Sequence, residues 1–377
     1  MSERNNSKVK TRKYWLNTHL FLGLIFGLFF VMTGITGSLL TFYIEIDEWL
    51  HPELILVDKP NQDTQSYETL FQALKTAEPT RHRAWRLELP DDPNRMVTAR
   101  YYKPVETAHL DFAPLMVSVN PFTAEVVSSR FWGDFAMTWI YDLHFALLLD
   151  ANGRIAISII GIFIFLSLCT GLYLWWPSKH TLKTAFAFKR HTSLQRNIYD
   201  FHKLTGVYSL PILAIIVVTG VLLGFPPVKP AVNAISPLYS PENIQSTKIA
   251  NELRLSLDDI VDIAQQQFPT ATVKWIETPD GMVGSYRVNL RQEGEPSQRF
   301  PKTNVWLDQY SGEILAFRDI YNDNAGDTFL RWLHPLHSGQ AFGLTGRIIV
   351  CISGLLPLIL FVTGIIRWRQ KQRKKAL

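Results

Sequence analysis

The sequence predicts a membrane α-helical protein with four transmembrane helices in two parallel repeats and two small α+β domains on the exported side. Two observations carry this prediction. First, four stretches of the chain contain no Asp, Glu, Lys or Arg, and each can cross about 30 Å of hydrocarbon at about 1.5 Å per residue. They are residues 14–44, 155–178, 204–228 and 348–366. Second, the two halves of the chain share residues at constant spacing.

The repeat is visible as identical residues at two fixed offsets. At an offset of 183, the second half repeats His19, Gly23, Thr36, Gly37, Leu39, Leu40 and Phe42. At an offset of 193, it repeats Trp139, Leu143, His144, Gly153, Arg154, Gly161, Thr170, Gly171 and Trp175. Because matched stretches cross the membrane in the same direction, we expect a parallel repeat.

Positive charge next to the apolar stretches predicts the orientation. Residues 1–13, 178–199 and 368–377 are rich in Lys and Arg, namely Arg4, Lys8, Lys10, Arg12, Lys13, Lys179, Lys183, Lys189, Arg190, Arg196, Arg369, Lys371, Arg373, Lys374 and Lys375. Short loops of this kind stay in the cytoplasm. Helices are therefore predicted at 14–44, 154–177, 200–226 and 346–367. The net charge of +5 mostly comes from these Lys and Arg residues of the cytoplasmic segments. Their role in orienting the helices accounts for the charge, so we expect a lipid bilayer as partner and no nucleic acid.

The two long remaining segments, 45–153 and 227–345, are predicted to be exported domains of similar design. Each contains an amphipathic helical pattern followed by strand-like runs with period two. The helices are expected at 66–77 and 255–267, and the strands at 84–89, 97–102, 117–127, 273–277, 285–290 and 304–317, where the third and last ranges are strand–turn–strand units. We expect two separate domains, each with one helix on a small antiparallel sheet. A structural cap on the membrane helices is the alternative to a functional role.

One pair of repeated histidines lies at the cytoplasmic side. His19 and His202 open the first and third apolar stretches, and Gly23 and Gly206 follow one turn deeper on the same helical face. A glycine there leaves space beside the imidazole. Two imidazoles related by the repeat can bind both axial positions of a metal in a flat macrocycle. An isolated histidine would be interpreted as an interfacial anchor, and the matched glycines favour a ligand pair.

The other pair, His144 and His337, belongs to the exported side. Each lies ten residues before an arginine, Arg154 or Arg347, so a helical connection of about 15 Å would put it at or just above the outer interface. The arginine fork suits a carboxylate, and snorkelling to lipid headgroups is the alternative. His334, three residues before His337, could replace it as ligand or hydrogen-bond to it.

The remaining features limit the chemistry. Thr-Gly steps at 36–37, 170–171, 219–220 and 363–364 occur once in every apolar stretch, and we interpret them as helix-packing positions that form no shared site. Cys169 and Cys351 lie in apolar stretches. The chain has no Cys-x-x-Cys-His run, no Gly-x-Gly-x-x-Gly with an acidic partner and no phosphate loop. Any haem would be non-covalent, and electrons would come from a separate donor.

The chain resembles the PepSY-associated transmembrane proteins. The resemblance rests on "LNTHLFLG", "FHKLTGVYSL", "TGLYLWWP" and "LDQYSGEIL". It implies an inner-membrane, haem-carrying ferrisiderophore reductase. On this basis we expect two non-covalent haem b groups with bis-histidine ligation, by His19 with His202 and by His144 with His337, the arginines being candidates for the haem propionates. The expected partners are a ferric siderophore or other Fe³⁺ chelate and a cytoplasmic or membrane electron donor. Both termini would be cytoplasmic and both domains periplasmic.

Two other functions remain open at this point. The protein could be a binding or regulatory module for peptides or peptidases, without a cofactor. It could also be a transporter, although the central parts of the helices contain no acidic or basic residue for an ion-coupled site. Six aromatic residues of the exported segments could face a bulky chelate, but most are expected to fill small cores. They are Trp85, Tyr101, Tyr102, Trp132, Trp275 and Tyr286.

Overall fold

The computed structural model describes residues 2–57, 63–189, 192–247 and 253–376. Its α-helices in chain order are α1 (Ser2–Thr41), α2 (Tyr43–Leu50), α3 (Pro52–Ile55), α4 (Tyr67–Ala77), α5 (Ala136–Ala146), α6 (Asp150–Trp175), α7 (Leu182–Ala185), α8 (Leu194–Gly224), α9 (Val228–Ile235), α10 (Leu257–Gln267), α11 (Ala325–Ser338), α12 (Gly343–Ser353) and α13 (Leu356–Ala376). The strands are β1 (Trp85–Glu88), β2 (Val97–Tyr101), β3 (Leu115–Val119), β4 (Val126–Phe131), β5 (Thr272–Glu277), β6 (Ser285–Arg291), β7 (Thr303–Asp308) and β8 (Ile314–Arg318). The described part of the chain does not include Arg190 or the side chains of Arg4, Lys8, Lys374 and Lys375.

The chain divides into two compact units, which are described separately. The helix unit comprises Met1–Phe42, Leu143–Val228 and Leu333–Leu377, and the sheet unit comprises Tyr43–Asp142 and Lys229–Trp332. Among the described residues, four helical stretches of the helix unit are long and apolar enough to cross a membrane: Val9–Thr41, Asp150–Trp175, Leu194–Gly224 and Gln340–Arg373. They coincide with the four helices that the sequence predicts.

The four spans pack as a ring. Helix α1 contacts α6 and α13, and α8 contacts the same two helices, so α1 and α8 lie diagonally opposite each other. Small residues bring α1 close to the fourth span. A Cβ on Gly34 would lie 2.3 Å from the carbonyl oxygen of Gly354, and the Ser38 hydroxyl donates to the Cys351 carbonyl at 2.7 Å. This close approach is typical of small residues in membrane helices.

Proline acts differently in the third and fourth spans. Pro211 lies inside the uninterrupted helix α8. The fourth span is broken between Ser353 and Leu356, and Pro357 occupies the first turn of α13. Proline has no N–H to donate and is tolerated in a first turn, where that donor would have no helical partner. The fourth span therefore consists of two helices, α12 and α13.

The sheet unit differs from the two separate domains expected from the sequence. Its eight strands form one antiparallel sheet in the order β4-β3-β2-β1-β5-β6-β7-β8. The halves join where β1 pairs with β5, with Leu87 opposite Ile276. Each half alone would leave β1 or β5 as an edge with unpaired N–H and C=O groups. Pairing the two edges satisfies these groups and merges the predicted domains.

One face of the sheet is covered by α4 and α10, which cap each other. Asp258 accepts from the backbone N–H groups of Tyr67 and Glu68 at 2.9 and 3.0 Å. In return, Glu68 accepts from the N–H of Leu257 at 3.0 Å. A carboxylate at a helix N-terminus satisfies unpaired donors and complements the helix dipole. The core beneath the two helices is apolar, and its largest fully buried side chains include Trp85, Leu70, Leu74, Leu87, Leu257, Ile260 and Ile276.

Candidate functional site

The four repeated histidines of the helix unit form two close pairs. His19 on α1 and His202 on α8 face each other with ring centres 6.4 Å apart and planes inclined at 75°. His144 on α5 and His337 on α11 have ring centres 6.1 Å apart and an angle of 53°. An imidazole nitrogen binds a metal ion at about 2 Å and the ring centre lies about 1 Å behind it, so two imidazoles on opposite sides of one ion have ring centres roughly 6 Å apart. Both separations fit this value.

In all four histidines, Nδ1 is held by a threonine hydroxyl from a neighbouring helix. The contacts are His19 with Thr170 at 3.0 Å, His202 with Thr363 at 2.8 Å, His144 with Thr36 at 2.9 Å and His337 with Thr219 at 3.2 Å. Each of these threonines is buried. Histidines that bind metals almost always bond their other ring nitrogen to a second group, which fixes the orientation of the ring. This arrangement leaves Nε2 as the nitrogen for a metal.

The glycine after each threonine lies against the same imidazole. A Cβ built on Gly220 would be 2.8 Å from Cε1 of His337, and one on Gly37 would be 3.0 Å from Cε1 of His144. Gly171 and Gly364 have the same relation to His19 and His202, at 3.1 and 3.6 Å. From the sequence, we interpret the Thr-Gly steps as packing positions that form no shared site. This interpretation is incomplete, because each step contacts one imidazole through both its threonine and its glycine. The signal in the sequence was their number, since four Thr-Gly steps accompany four repeated histidines.

A tight reversal brings His144 back against α1. The chain between α5 and α6 contains Leu147, Leu148 and Asp150 with φ of 52°, 59° and 49°, so no continuous helix joins His144 to Arg154. A Cβ on Gly153 would lie 1.6 Å from the Ala146 carbonyl oxygen. His144 therefore lies level with Thr36, within the Val9–Thr41 span. With a helical connection assumed, the sequence predicts His144 at or just above the outer interface. The structure instead places His144 beside the last turns of α1.

The two pairs lie near opposite ends of the membrane spans. Thr36, which contacts His144, comes 17 residues after His19 on α1, and Thr219, which contacts His337, comes 17 residues after His202 on α8. Along a continuous helix this spacing corresponds to about 25 Å. The hydrocarbon core is about 30 Å thick. The pairs are therefore separated by most of a bilayer.

The space beside the first pair is open where the sequence predicts room for a macrocycle. A Cβ on Gly23 would meet no atom within 4 Å, and one on Gly206 would meet only Cδ2 of Leu360, at 3.7 Å. Among the described residues, no group of three or more His, Cys, Asp or Glu side chains could hold a bare metal ion. Each histidine pair offers two ligands, which is the number that a six-coordinate porphyrin iron can take from the protein.

His334, Arg347 and Arg154 are the remaining predicted site residues, and their contacts differ. The ring facing His144 is that of His337, whereas the backbone carbonyl of His334 accepts a hydrogen bond from Ser338 at 2.9 Å. Arg347 donates to the carbonyl of Thr41 at 2.8 and 3.1 Å. The Arg154 guanidinium lies 5.7 Å from the ring centre of Phe145. The carboxylate-binding role of the two arginines stays a prediction.

Of the six aromatic residues that the sequence singles out in the exported segments, four are buried and two lie beside an arginine. The buried ones are Trp85, Tyr101, Trp132 and Tyr286. The carbon of the Arg86 guanidinium is 4.1 Å from the Trp275 ring centre and 5.1 Å from that of Tyr102. Its nitrogens pair with Glu277 and Glu88. Burial raises the pKa of Tyr102 above its usual value, so its phenol stays protonated at neutral pH.

Comparison with known proteins gives the family. No curated protein matches the chain. The family described as the PepSY-associated TM region matches residues 16–371, nearly the whole of the chain. This match confirms the resemblance seen in the sequence. The chain belongs to the PepSY-associated TM region family.

Proposed function

We propose that the protein is a transmembrane oxidoreductase that binds two haem b groups without covalent attachment and transfers electrons across the membrane to a ferric chelate. The observation that carries the proposal is the arrangement of four histidines in two pairs with ring centres 6.4 and 6.1 Å apart. In each histidine Nδ1 is held by threonine and Nε2 is the nitrogen left for a metal. Interfacial anchoring of single helices would not require the rings to face each other.

His19 with His202 would hold one haem, and His144 with His337 would hold the other. The bound haem supplies a reversible one-electron centre. Two imidazoles at each haem would suit electron transfer better than substrate binding. Four apolar spans keep water and ions away from both sites, and Gly23 and Gly206 leave space beside the first pair. Arg154 and Arg347 are the candidates for the propionates.

The charge distribution supports a location in the bacterial inner membrane with both termini in the cytoplasm. The loop that contains α7 carries Lys179, Lys183, Lys189 and Arg196, and short basic loops are retained in the cytoplasm. The first histidine pair would then lie towards the electron donor, a cytoplasmic or membrane protein. The second pair and the sheet unit would belong to the periplasmic half, where the acceptor binds.

A ferric siderophore or another Fe³⁺ chelate is the proposed acceptor. The reaction adds one electron to Fe³⁺ and gives Fe²⁺, which oxygen ligands hold less tightly, so the metal can leave the chelate. Trp275 and Tyr102 lie beside Arg86, whose charge is already paired with Glu277 and Glu88, so this group offers its aromatic surface to a chelate. Family membership supports the membrane architecture, and the choice of acceptor rests on the resemblance to ferrisiderophore reductases.

Purification in detergent from haem-sufficient cells tests this function. The protein should be coloured, with a low-spin haem spectrum that shifts when dithionite is added and returns when a ferric chelate is added. His19→Ala or His202→Ala should remove one haem, and His144→Ala or His337→Ala the other. The exposed His109 provides the control, because His109→Ala should keep both. A colourless protein would overturn the proposal and favour a cofactor-free regulatory module.

A further inference from the structure

We infer that the four buried threonines fix the tautomer of the four histidine ligands and strengthen their bonds to iron. The inference rests on the proposed function, since it assigns the groups that position its ligands. Thr36, Thr170, Thr219 and Thr363 would be positioning residues, because each acts on the metal through an imidazole. Nothing in their sequence context, beyond recurrence in the repeat, distinguishes them from ordinary packing residues.

The hydrogen-bond geometry at Thr36 determines which atom carries the proton. Its hydroxyl has one hydrogen, and it donates to the Met32 carbonyl of its own helix at 2.8 Å. Towards His144 the hydroxyl can therefore act only as acceptor. The proton must lie on Nδ1 of His144, and Nε2 is left with a lone pair.

The same arrangement recurs at the other three sites. The hydroxyls of Thr170, Thr219 and Thr363 donate to carbonyls of their own helices, those of Ser167 at 2.9 Å, Ile215 at 2.6 Å and Ile359 at 2.6 Å. Such bonds to the preceding turn are usual for threonine in helices. All four hydroxyls are thus turned so that an oxygen lone pair faces Nδ1.

Backbone carbonyls lead to the same tautomer independently. The Ser167 carbonyl lies 3.1 Å from Nδ1 of His19, and the Ile216 carbonyl lies 2.9 Å from Nδ1 of His337. A carbonyl has no hydrogen to donate, so Nδ1 must be the donor. The carbonyl belongs to the residue three positions before the threonine in both cases. Nδ1 of each of these two imidazoles therefore faces two acceptors, a threonine hydroxyl and a backbone carbonyl.

The hydrogen bonds from Nδ1 affect how each imidazole binds iron. Hydrogen bonds accepted from Nδ1–H make the imidazole more basic and orient its ring. A more basic ligand stabilises ferric iron relative to ferrous iron, and so lowers the reduction potential. Loss of such a partner typically costs 10–100-fold in metal affinity. The buried position of the threonines also keeps water from replacing their hydroxyls.

Thr36→Val tests the inference because it removes the hydroxyl and keeps the branched shape. We expect the haem of the second pair to bind 10–100-fold more weakly, with a higher midpoint potential and altered electron paramagnetic resonance g-values. The haem of the first pair should be unchanged. Thr36→Ser, which restores an acceptor, should recover affinity and potential. Thr170→Val should produce the reciprocal result at the first pair.

Thr33 provides the matched control. It lies one turn from Thr36 on α1, and its hydroxyl bonds to the carbonyls of Phe29 and Phe30 on its own helix. Only its backbone carbonyl, which the substitution keeps, bonds to His144. Thr33→Val should leave both haems unchanged. If the wild type binds two haems and Thr36→Val behaves like Thr33→Val in affinity, potential and resonance spectrum, the inference is overturned while the proposed function stands. A wild-type protein without haem would instead overturn the proposed function.

Discussion

The imidazoles of His144 and His337 face each other with ring centres 6.1 Å apart, although 193 residues separate them in the chain. Both lie on helices, α5 and α11, that belong to none of the four candidate spans. A sharp reversal after each helix returns the chain towards the bundle, so a histidine from outside a span can reach Thr36 or Thr219 inside one.

Alanine at Gly220 should remove the haem of the second pair. The new Cβ would lie 2.8 Å from Cε1 of His337, which is closer than atoms of this kind approach, so the imidazole must shift from the position in which it faces His144. Haem content should fall from two to one per protein in the purified variant. Alanine also has a higher helix propensity than glycine, so loss of helix stability would not explain the result.

Gly23→Ala should remove the other haem, for a different reason. Its Cβ would meet no protein atom within 4 Å, so the fold should tolerate it, and only a macrocycle in that space would collide with it. The double variants identify the sites. With His202→Ala, Gly23→Ala should leave one haem, whereas Gly220→Ala should leave none. Full haem content in Gly23→Ala would contradict the placement of the macrocycle beside this glycine.

His334→Ala and His337→Ala should differ. The ring that faces His144 belongs to His337, so only His337→Ala should lose one haem and its low-spin absorption. His334→Ala should keep two. The measurement is the haem-to-protein ratio with the optical spectrum of the oxidised form. Loss of haem in His334→Ala but not in His337→Ala would mean that the ligand is His334.

Trp275→Ala should slow reduction of the ferric chelate without changing haem content. Trp275 is half-buried and its ring centre lies 4.1 Å from the Arg86 guanidinium, and tryptophan often contributes a large part of the binding energy at an interface. We expect about a tenfold loss in the rate at low chelate concentration, equivalent to about 1.4 kcal/mol. Trp49→Ala is the control, because Trp49 belongs to the sheet unit and is 79% exposed. Equal rates for both variants would exclude Trp275 from the acceptor site.

Glu295 should make the stability of the protein depend on pH. Its side chain is buried, accepts from the backbone N–H of Lys302, and has its pKa raised by burial from 4.5 to about 6. The folded state therefore favours the protonated form. The stability gained is fully present below pH 4.5 and is lost as the pH rises through 6, a change of about 2 kcal/mol.

Glu295→Gln tests the sign of this effect, because its side chain stays neutral. Thermal unfolding of the full chain in detergent should show the variant gaining stability relative to the wild type between pH 4.5 and 7. Glu313 is the control, since it is exposed and Glu313→Gln should show no such trend. A constant difference between Glu295→Gln and the wild type at all pH values would contradict the prediction.

Local properties of the sequence were sufficient for the elements of the fold. Length and absence of charge locate the four spans, because a helix in hydrocarbon must satisfy its backbone internally and cannot carry isolated charges cheaply. Alternation and helical periodicity locate α4, α10 and most strands within a few residues. The histidine pairs could also be inferred, because the repeat makes His19 equivalent to His202 and His144 equivalent to His337.

Only the tertiary structure decided how these elements combine. The pairing of Leu87 with Ile276 merges two predicted domains into one sheet, and it depends on edges that are distant in the chain. The reversal at Leu147 uses a positive φ at a residue that gives no local signal for it. The contact of Thr36 with His144 depends on the packing of helices. Sequence periodicity reports which face of an element is apolar, whereas the partner of that face is selected by packing over the whole chain.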